Sequence, residues 1–355
     1  MFNLGAGAAM LFAEFRTPDG WGIPGIHGPW AEDELDGNVQ GAVYLIENGG
    51  EALLFDTGNR VPGTDISMGP TIIEKVEAGD SEVKTIFISH FHYDHTGNAK
   101  ELKERWGAEV LAHPVDRPII EDPLIVTRSE NVERFGLTPE ELLADFNLAE
   151  GESLGLSDPA VIEKYWNFPV EVDREVDQGD RIKVGELDLE VIHLPGHSPG
   201  QIGIFNEETR SLYCADICHF PSPLVPYPIG NAQDHIDTIE KCKALKPHYL
   251  WEGHYLSVYD PPAVQRRLDH LLRATLDTAD RIKLLLERAP EPQTILELMP
   301  EVFPIKLELN YPVSSGKGQR WAYAEATIQC HLRRLVELGE AERLTDGGVT
   351  RFAAA

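Results

Sequence analysis

Apolar and polar positions alternate in short bursts over the first two thirds of the chain and recur at helical spacing beyond. Asn38 to Leu45 and Glu51 to Phe55 read as two strands joined at Asn48-Gly49, a dipeptide suited to a tight hairpin turn. Apolar runs near 83–89 and 108–112 predict two more strands, with a helix from Ala99 to Trp106 between them. Strands near 186–194, 201–205 and 210–215 form a second group. A helix from Ala232 to Leu245 separates that group from a last strand at 248–251. From Gln265 to Glu287, the residues Leu268, Leu271, Leu272, Leu276, Ile282, Leu284 and Leu285 mark a long amphipathic helix. A short helix over Thr294 to Met299 follows, then one over Ala322 to Leu338 with Ile328, Leu332, Leu335 and Val336 on its apolar side. Glu342-Arg343-Leu344 and Val349 to Phe352 flank Asp346-Gly347-Gly348 as a hairpin.

Polar side chains gather where these strands end. Ser89-His90-Phe91-His92-Tyr93-Asp94-His95-Thr96-Gly97 puts three imidazoles and a carboxylate directly after the apolar run Val83, Ile86, Phe87, Ile88. Imidazole nitrogen and carboxylate oxygen are the ligand set for zinc, or for manganese and iron. One metal could not easily use all four groups at good geometry, whereas two adjacent metals could. His197 follows the strand Glu190 to Leu194 in a Gly/Pro turn, Asp216 ends the strand Ser211 to Ala215, and His254 follows the strand at Tyr249. Ligands collect at the carboxyl ends of strands in α/β proteins, which makes four coincidences of this kind an unsatisfying account.

The order His-x-His-x-Asp-His, Pro-Gly-His-Ser-Pro-Gly, Asp, then Gly-His resembles the metallo-β-lactamase superfamily of hydrolases, over about residues 38 to 256. Asp56-Thr57-Gly58, after Ala52 to Phe55, matches that family's early Asp-Thr-Gly turn. The resemblance implies an α/β fold, a four-layer αβ/βα sandwich of two mixed sheets with two divalent metal ions at one edge. Zinc is the first expectation, with manganese or iron as alternatives. His90, His92 and His197 would hold the first ion, Asp94, His95 and His254 the second, and Asp216 would bridge them together with a water or hydroxide. Asp94 and Asp216 are then the expected catalytic carboxylates. Asp56 would orient one imidazole through its ring N–H, with a cap on the turn after its strand as the equal alternative. Ala215 stands where the family usually has glycine. His92 in place of glutamate disfavours the flavodiiron branch. His219 falls in Asp216-Ile217-Cys218-His219, a run similar to those of phosphotriester-cleaving and lactonase-like members, where it could reach a substrate or support a ligand. His113 and His193 read as packed residues, and His235, His248, His270 and His331 as histidines without partners.

The expected partition is a catalytic domain over 1–260, with 114–182 as an insertion covering the mouth of the site, and a small domain over 261–355. The insertion carries the helical piece Pro139 to Phe146 and the aromatic group Tyr165, Trp166 and Phe168. The order helix, helix, helix, hairpin in the tail resembles a winged-helix module, similar to the tails of lactamase-like hydrolases with ribonuclease or thioesterase activity. Charge weighs against nucleic acid. Residues 1–260 hold 18 Lys and Arg against 46 Asp and Glu, while 261–355 hold 13 of each, so the net −28 lies wholly on the catalytic part. A phosphate backbone needs cationic neutralisation. Solubility demands or a salty habitat would produce the same excess.

No basic leader and no apolar span long enough for a membrane is visible. Cys214, Cys218, Cys242 and Cys330 lack pairing spacing, which suits reduced thiols in a cytoplasmic protein. The expected reaction is metal-dependent hydrolysis of an ester-type bond in a small molecule, a thioester or a lactone first, using the bridging hydroxide. The alternatives are a metal-dependent endoribonuclease, a phosphotriester hydrolase and, last, a ligand-sensing DNA-binding regulator. The tail could also serve to form a homo-oligomer.

Overall fold

The computed structural model describes residues 15–23, 26–27, 39–60, 67–127, 144–147, 163, 167–218, 230–254, 258–303, 311–312, 319–320 and 322–355. The chain begins with β1 (Phe15–Thr17), β2 (Gly20–Ile23), β3 (Ile26–His27), β4 (Val39–Gln40), β5 (Val43–Asn48) and β6 (Glu51–Phe55). Next come α1 (Gly69–Glu77), β7 (Glu82–Phe87), α2 (Tyr93–Thr96), α3 (Ala99–Trp106), β8 (Glu109–Ala112) and α4 (Arg117–Glu121). They are followed by β9 (Arg174–Glu175), β10 (Arg181–Val184), β11 (Leu187–His193), β12 (Ile202–Asn206), β13 (Ser211–Ala215), α5 (Ala232–Leu245) and β14 (Tyr249–Glu252). The C-terminal part holds α6 (Pro261–Arg288), α7 (Ile295–Val302), β15 (Tyr311–Pro312), β16 (Gln319–Arg320), α8 (Ala322–Glu337), β17 (Ala341–Asp346) and β18 (Val349–Ala354).

Two mixed sheets face each other. The first runs β1-β2-β5-β6-β7-β8-β9, antiparallel up to the β5/β6 pair and parallel from β6 to β9. The second runs β10-β11-β12-β13-β14, with only β13/β14 parallel. Period-two alternation sorts the side chains. Tyr44, Ile46, Leu53 and Phe55 point between the sheets, where they meet Val191, Ile204, Tyr213 and Trp251. Val43, Leu45, Ala52 and Leu54 point the other way, against Ile72 of α1 and Leu102 of α3. On the far side, Ile192, Leu212, Cys214 and Leu250 pack against Ile239 of α5 and Val264, Leu268 and Leu271 of α6. The layers are therefore helix, sheet, sheet, helix. Each fully buried Leu, Ile or Phe in them contributes roughly 1.5–3 kcal/mol.

Helix α6 belongs to two cores. Asp260 caps it by accepting the Ala263 N–H, Pro261 and Pro262 occupy its first turn, and a buried stripe runs through Val264, Leu268, Leu271, Thr275, Ala279, Ile282 and Leu286. The early part of the stripe sits on the second sheet. Ile282 and Leu286 sit instead with Leu298, Ile328, Leu332, Leu335 and Phe352 of the tail. That cluster also takes in Tyr93, Phe146 and Phe168, so the tail packs on the His/Asp loop of α2 and on the 114–182 insertion. Asp145 accepts from Arg343 Nε (2.6 Å) and Gln329 Nε2 (3.2 Å). Asn147 pairs with the main chain of Thr350 in both directions, at 2.7 and 2.8 Å.

The structure corrects several sequence expectations. The turn between β5 and β6 is Gly49-Gly50, both at positive φ (62° and 84°), and Asn48 is the last strand residue. That conformation favours glycine at both central positions, as Gly347-Gly348 repeats in the β17/β18 hairpin (56° and 81°). The expected strand from Asn38 divides into β4, paired with β3, and β5, paired with β2 and β6. Strands β1, β2 and β10 and helix α1 add to the pattern read from sequence. Within 114–182, β9 and the start of β10 belong to the two sheets, so the extra material there ends before Arg174. The tail has the expected helices and hairpin, with the unexpected pair β15/β16 between the second and third helices, and Gln293 adds a bridge to Phe352 of β18. Tyr165, Trp166 and the start of the Pro139 helix lie outside the described residues, as does His219. No helix among the described residues is long and apolar enough to cross a membrane.

Candidate metal centre

Four strand ends deliver the site. His90 and His92 lie in the loop after β7, and Asp94 and His95 on α2, which that loop starts. His197 follows β11, Asp216 follows β13 and His254 follows β14. All seven side chains named from the sequence converge here. They fall into one group of His90, His92, His197 and Asp216 and a second of Asp94, His95 and His254. Within the first, His92 Nδ1 is 2.9 Å from His90 Nε2 and 3.0 Å from His197 Nε2. Asp216 spans the two groups: its Oδ2 is 2.9 Å from His254 Nε2 and 3.4 Å from His197 Nε2, and its Oδ1 is 3.3 Å from His95 Nε2. Asp94 Oδ2 lies 3.4 Å from His254 Nε2 and 3.6 Å from His95 Nε2.

Hydrogen bonds behind the cluster fix which nitrogens face inward. Asp56 Oδ1 accepts the Ser89 N–H, and its Oδ2 accepts both the Ser89 hydroxyl and His95 Nδ1–H, all at 2.8 Å. Ser89 has then spent its only proton, so at 2.9 Å it must accept from His90 Nδ1–H. His90 and His95 each turn an Nε2 lone pair toward the cluster. Asp56 sits at φ 59°, a left-handed turn that Asp tolerates, and thereby aims its carboxylate at both partners. Ala215 is also left-handed, at φ 45°, the physical reason a glycine would be at ease there. The strain, about 1–2 kcal/mol, is partly offset by the buried methyl group, worth about 0.8 kcal/mol. Gly253 is required for a different reason, since a Cβ there would run into Asp216 Oδ1.

The donor set fits a pair of cations. His92 Nδ1 has a single in-plane position, a proton or a lone pair, which cannot make good hydrogen bonds to both facing nitrogens at once. His95 Nε2 and Asp216 Oδ1 are buried without a hydrogen-bond partner, although 3.3 Å apart. Tetrahedral zinc with nitrogen ligands at about 2.0–2.1 Å puts them on the order of 3.3 Å apart, close to the spacings here. Burial, with the neighbouring His95 and His92, holds His90 well below the usual imidazole range, and burial brings His92 to about 3. Those imidazoles are neutral and free to ligate. Burial also opposes the charged form of His95 and His254, but Asp216 and Asp94 outweigh it and raise both. Burial likewise opposes ionised Asp216, yet His254 and His95 hold its carboxyl well below the ordinary range. A metal ion would take the place of the protons on those two imidazoles.

Sequence reasoning missed the residues that hold these loops. Asp116, fully buried, accepts the Ser198 hydroxyl (2.7 Å) and the Gly200 N–H (2.8 Å), pinning the His197 loop. Buried Glu252 pairs with the partly buried Arg267 beside His254. Ser89, adjacent to His90, was the one legible signal. A third His/Asp group, His113, Asp177 and His193, lies outside the centre. His113 Nδ1 accepts the Val115 N–H (3.2 Å), so its Nε2 keeps the proton it gives Asp177 (3.1 Å) and has no lone pair for a metal. His193 stacks on it at 4.4 Å and donates to the Pro199 carbonyl, a packed role for both. His235 does have a partner, the Ile217 carbonyl at 3.2 Å. The four cysteines are buried and unbridged.

The sequence pattern of the metallo-beta-lactamase superfamily matches residues 36–254. Among curated relatives, a hydroxyacylglutathione hydrolase of Haemophilus influenzae is 26% identical over 147 residues, covering 41% of this chain and 55% of that protein. An acyl-coenzyme A thioesterase of Gallus gallus is 25% identical over 172 residues, covering 47% and 54%. The aligned stretch thus spans little more than half the length of these relatives. Among solved structures, a metallo-beta-lactamase family protein of Thermus thermophilus aligns over 98% of this chain and 100% of its own, with TM-score 0.68 and 21% identity. A beta-lactamase domain protein of Burkholderia ambifaria aligns over 99% and 98%, with TM-score 0.66 and 17% identity. Both share the fold. With its sheets, strand-end histidines and a match over more than half its length, the chain belongs to the metallo-beta-lactamase superfamily.

Proposed function

We propose that this protein is a two-metal hydrolase of small acyl thioesters, with lactones the next substrate class. The observation that carries the reading is the convergence of seven His and Asp side chains into two groups joined through Asp216. His90, His92 and His197 would hold one ion, Asp94, His95 and His254 the other, and Asp216 both. Two divalent ions so held supply a nucleophilic water near neutral pH and polarise a carbonyl. The chain's own part is positional. Asp56 keeps His95 and, through Ser89, His90 in the ligating tautomer. Asp216 holds the two groups together and offsets part of their charge. Asp94 is raised by burial, against the pull of His95 and His254, a cost to its charged form that a bound cation would offset.

The leaving group favours a thioester. A thiol near pKa 8.5 departs as thiolate with little help, whereas an amine must be protonated as it leaves. The relatives named as an acyl-coenzyme A thioesterase and a hydroxyacylglutathione hydrolase support that choice. The acidic shell weighs against RNA and other polyanions. We assign the catalytic site to residues 1–260 and read 261–355 as a second, winged-helix-like unit built onto it. The test is metal counting on protein purified without chelator and reloaded, with turnover on acyl thioesters, lactones, phosphotriesters and RNA. Two ions per chain are expected, with thioester or lactone hydrolysis ahead of the rest and loss of both on Asp216→Ala. Faster metal-dependent cleavage of RNA, or no bound metal after reloading, would sink the proposal.

A further inference from the structure

Behind the metal centre lies a charged pair that the reaction itself does not use. Arg267, on the second turn of α6, donates from Nε to Glu252 Oε1 at 2.8 Å and from Nη2 to Glu252 Oε2 at 3.1 Å. The same Nη2 donates to the Cys218 carbonyl at 3.3 Å. The side chains are 12% and 2% exposed, so solvent screens little of this contact. Glu252 ends β14 two residues before His254, and Cys218 lies two residues after Asp216. One guanidinium therefore ties the segment entering His254 to the segment leaving Asp216. The two segments already touch. The Gly253 N–H donates to the Ala215 carbonyl at 3.0 Å, and the close approach of Gly253 to Asp216 leaves no slack. The Tyr44 hydroxyl closes the other side, donating to the Glu252 carbonyl at 2.5 Å.

We infer that Arg267 is a positioning residue: through Glu252 and the Cys218 carbonyl it sets the separation of His254 from Asp216, and with it the hold of the Asp94/His95/His254 group on its ion. The inference rests on the two-metal reading above. It gives α6 a task in the site, because the arginine comes from the helix that carries the tail. Three donors in a rigid plane are needed to reach two carboxylate oxygens and a carbonyl, which a lysine cannot do. A pair serving stability alone could be exchanged for uncharged groups of similar size without consequence for metal.

Zinc binding is measured by stoichiometry and chelator competition on the full chain, for wild type, Arg267→Lys and the double variant Glu252→Gln/Arg267→Met. The double variant leaves no unpaired buried charge, which protects the fold. Wild type should hold two ions. The double variant should hold one as tightly as wild type and the other about 10–100-fold more weakly. Its thermal midpoint should stay close to wild type, and kcat on a thioester should fall with KM little changed. Arg267→Lys should lie between them. Two ions held at wild-type affinity in the double variant would overturn the inference, and so would equal weakening of both. A wild type that never takes a second ion removes the two-metal reading and the inference with it.

Discussion

Asp56 lies close to the expected ions without facing them, and its worth is in the protons it accepts. Three donors converge on its two oxygens, from the Ser89 main chain, the Ser89 hydroxyl and His95 Nδ1. An asparagine would place an NH2 group against at least one of those donors and remove the charge that strengthens the hold on His95 Nδ1–H. Asp56→Asn should therefore weaken metal binding by about 10–100-fold, with a matching loss of activity. Isothermal titration of the chelator-stripped protein measures it, and an unchanged affinity would return Asp56 to the role of a turn cap. At this scale the sequence was informative for the His and Asp side chains that converge and poor for their supports. A candidate ligand betrays itself through spacing, as His90, His92, Asp94 and His95 do. Asp116 does not, because its partners Ser198 and Gly200 stand more than eighty positions along the chain and neither type is unusual in a turn.

Strands and helices were legible where one face is buried and the run is long. The alternation in β5, β6, β11 and β13 separates an inter-sheet face from a helix-facing one, and α6 shows its stripe from Val264 to Leu286. Short or glycine-rich pieces were not. Strands β1 and β2 acquire their identity by pairing with each other and with β5, which no local pattern encodes. Loops at strand ends carry a pH dependence of their own through Asp116. Burial raises its carboxyl from the ordinary 3.8 to about 7, against the bonds from Ser198, Gly200 and Phe91. Between these values the folded chain holds a proton that the unfolded chain has lost. Its contribution to stability is thus full below about pH 4 and is lost as pH rises toward 7. Glu252 is also raised by burial, against the bonds from Arg267, so the difference between proteins is the useful quantity. Denaturant titrations of wild type and Asp116→Asn from pH 4 to 8 should show the variant with the shallower decline. Parallel curves would mean that Asp116 is ionised throughout.

At the scale of the molecule, the tail is an integral layer of the structure. Its cluster takes in Tyr93, which stands between His92 and Asp94, and α6 is shared between the tail and the second sheet. Arg334 of α8 donates to Gln233 of α5 at 2.8 Å, and Arg343 of the hairpin is bound to Asp145. Arg351 is likewise held, by the Pro292 carbonyl and Glu297. These are the cations that a helix and hairpin would turn toward phosphates, and the described contacts direct them at the protein instead. Residues 261–355 are neutral overall, with 13 basic and 13 acidic side chains, and residues 1–260 carry the full −28. Counterion release, which supplies non-specific DNA affinity, scales with the number of phosphates neutralised, and here few cations are available for it. The protein should therefore give no shift of duplex DNA at micromolar concentration in about 150 mM salt. A salt-dependent shift there, weakened by Arg333→Ala, would reverse that expectation and turn the tail from a packed layer into a reader of nucleic acid.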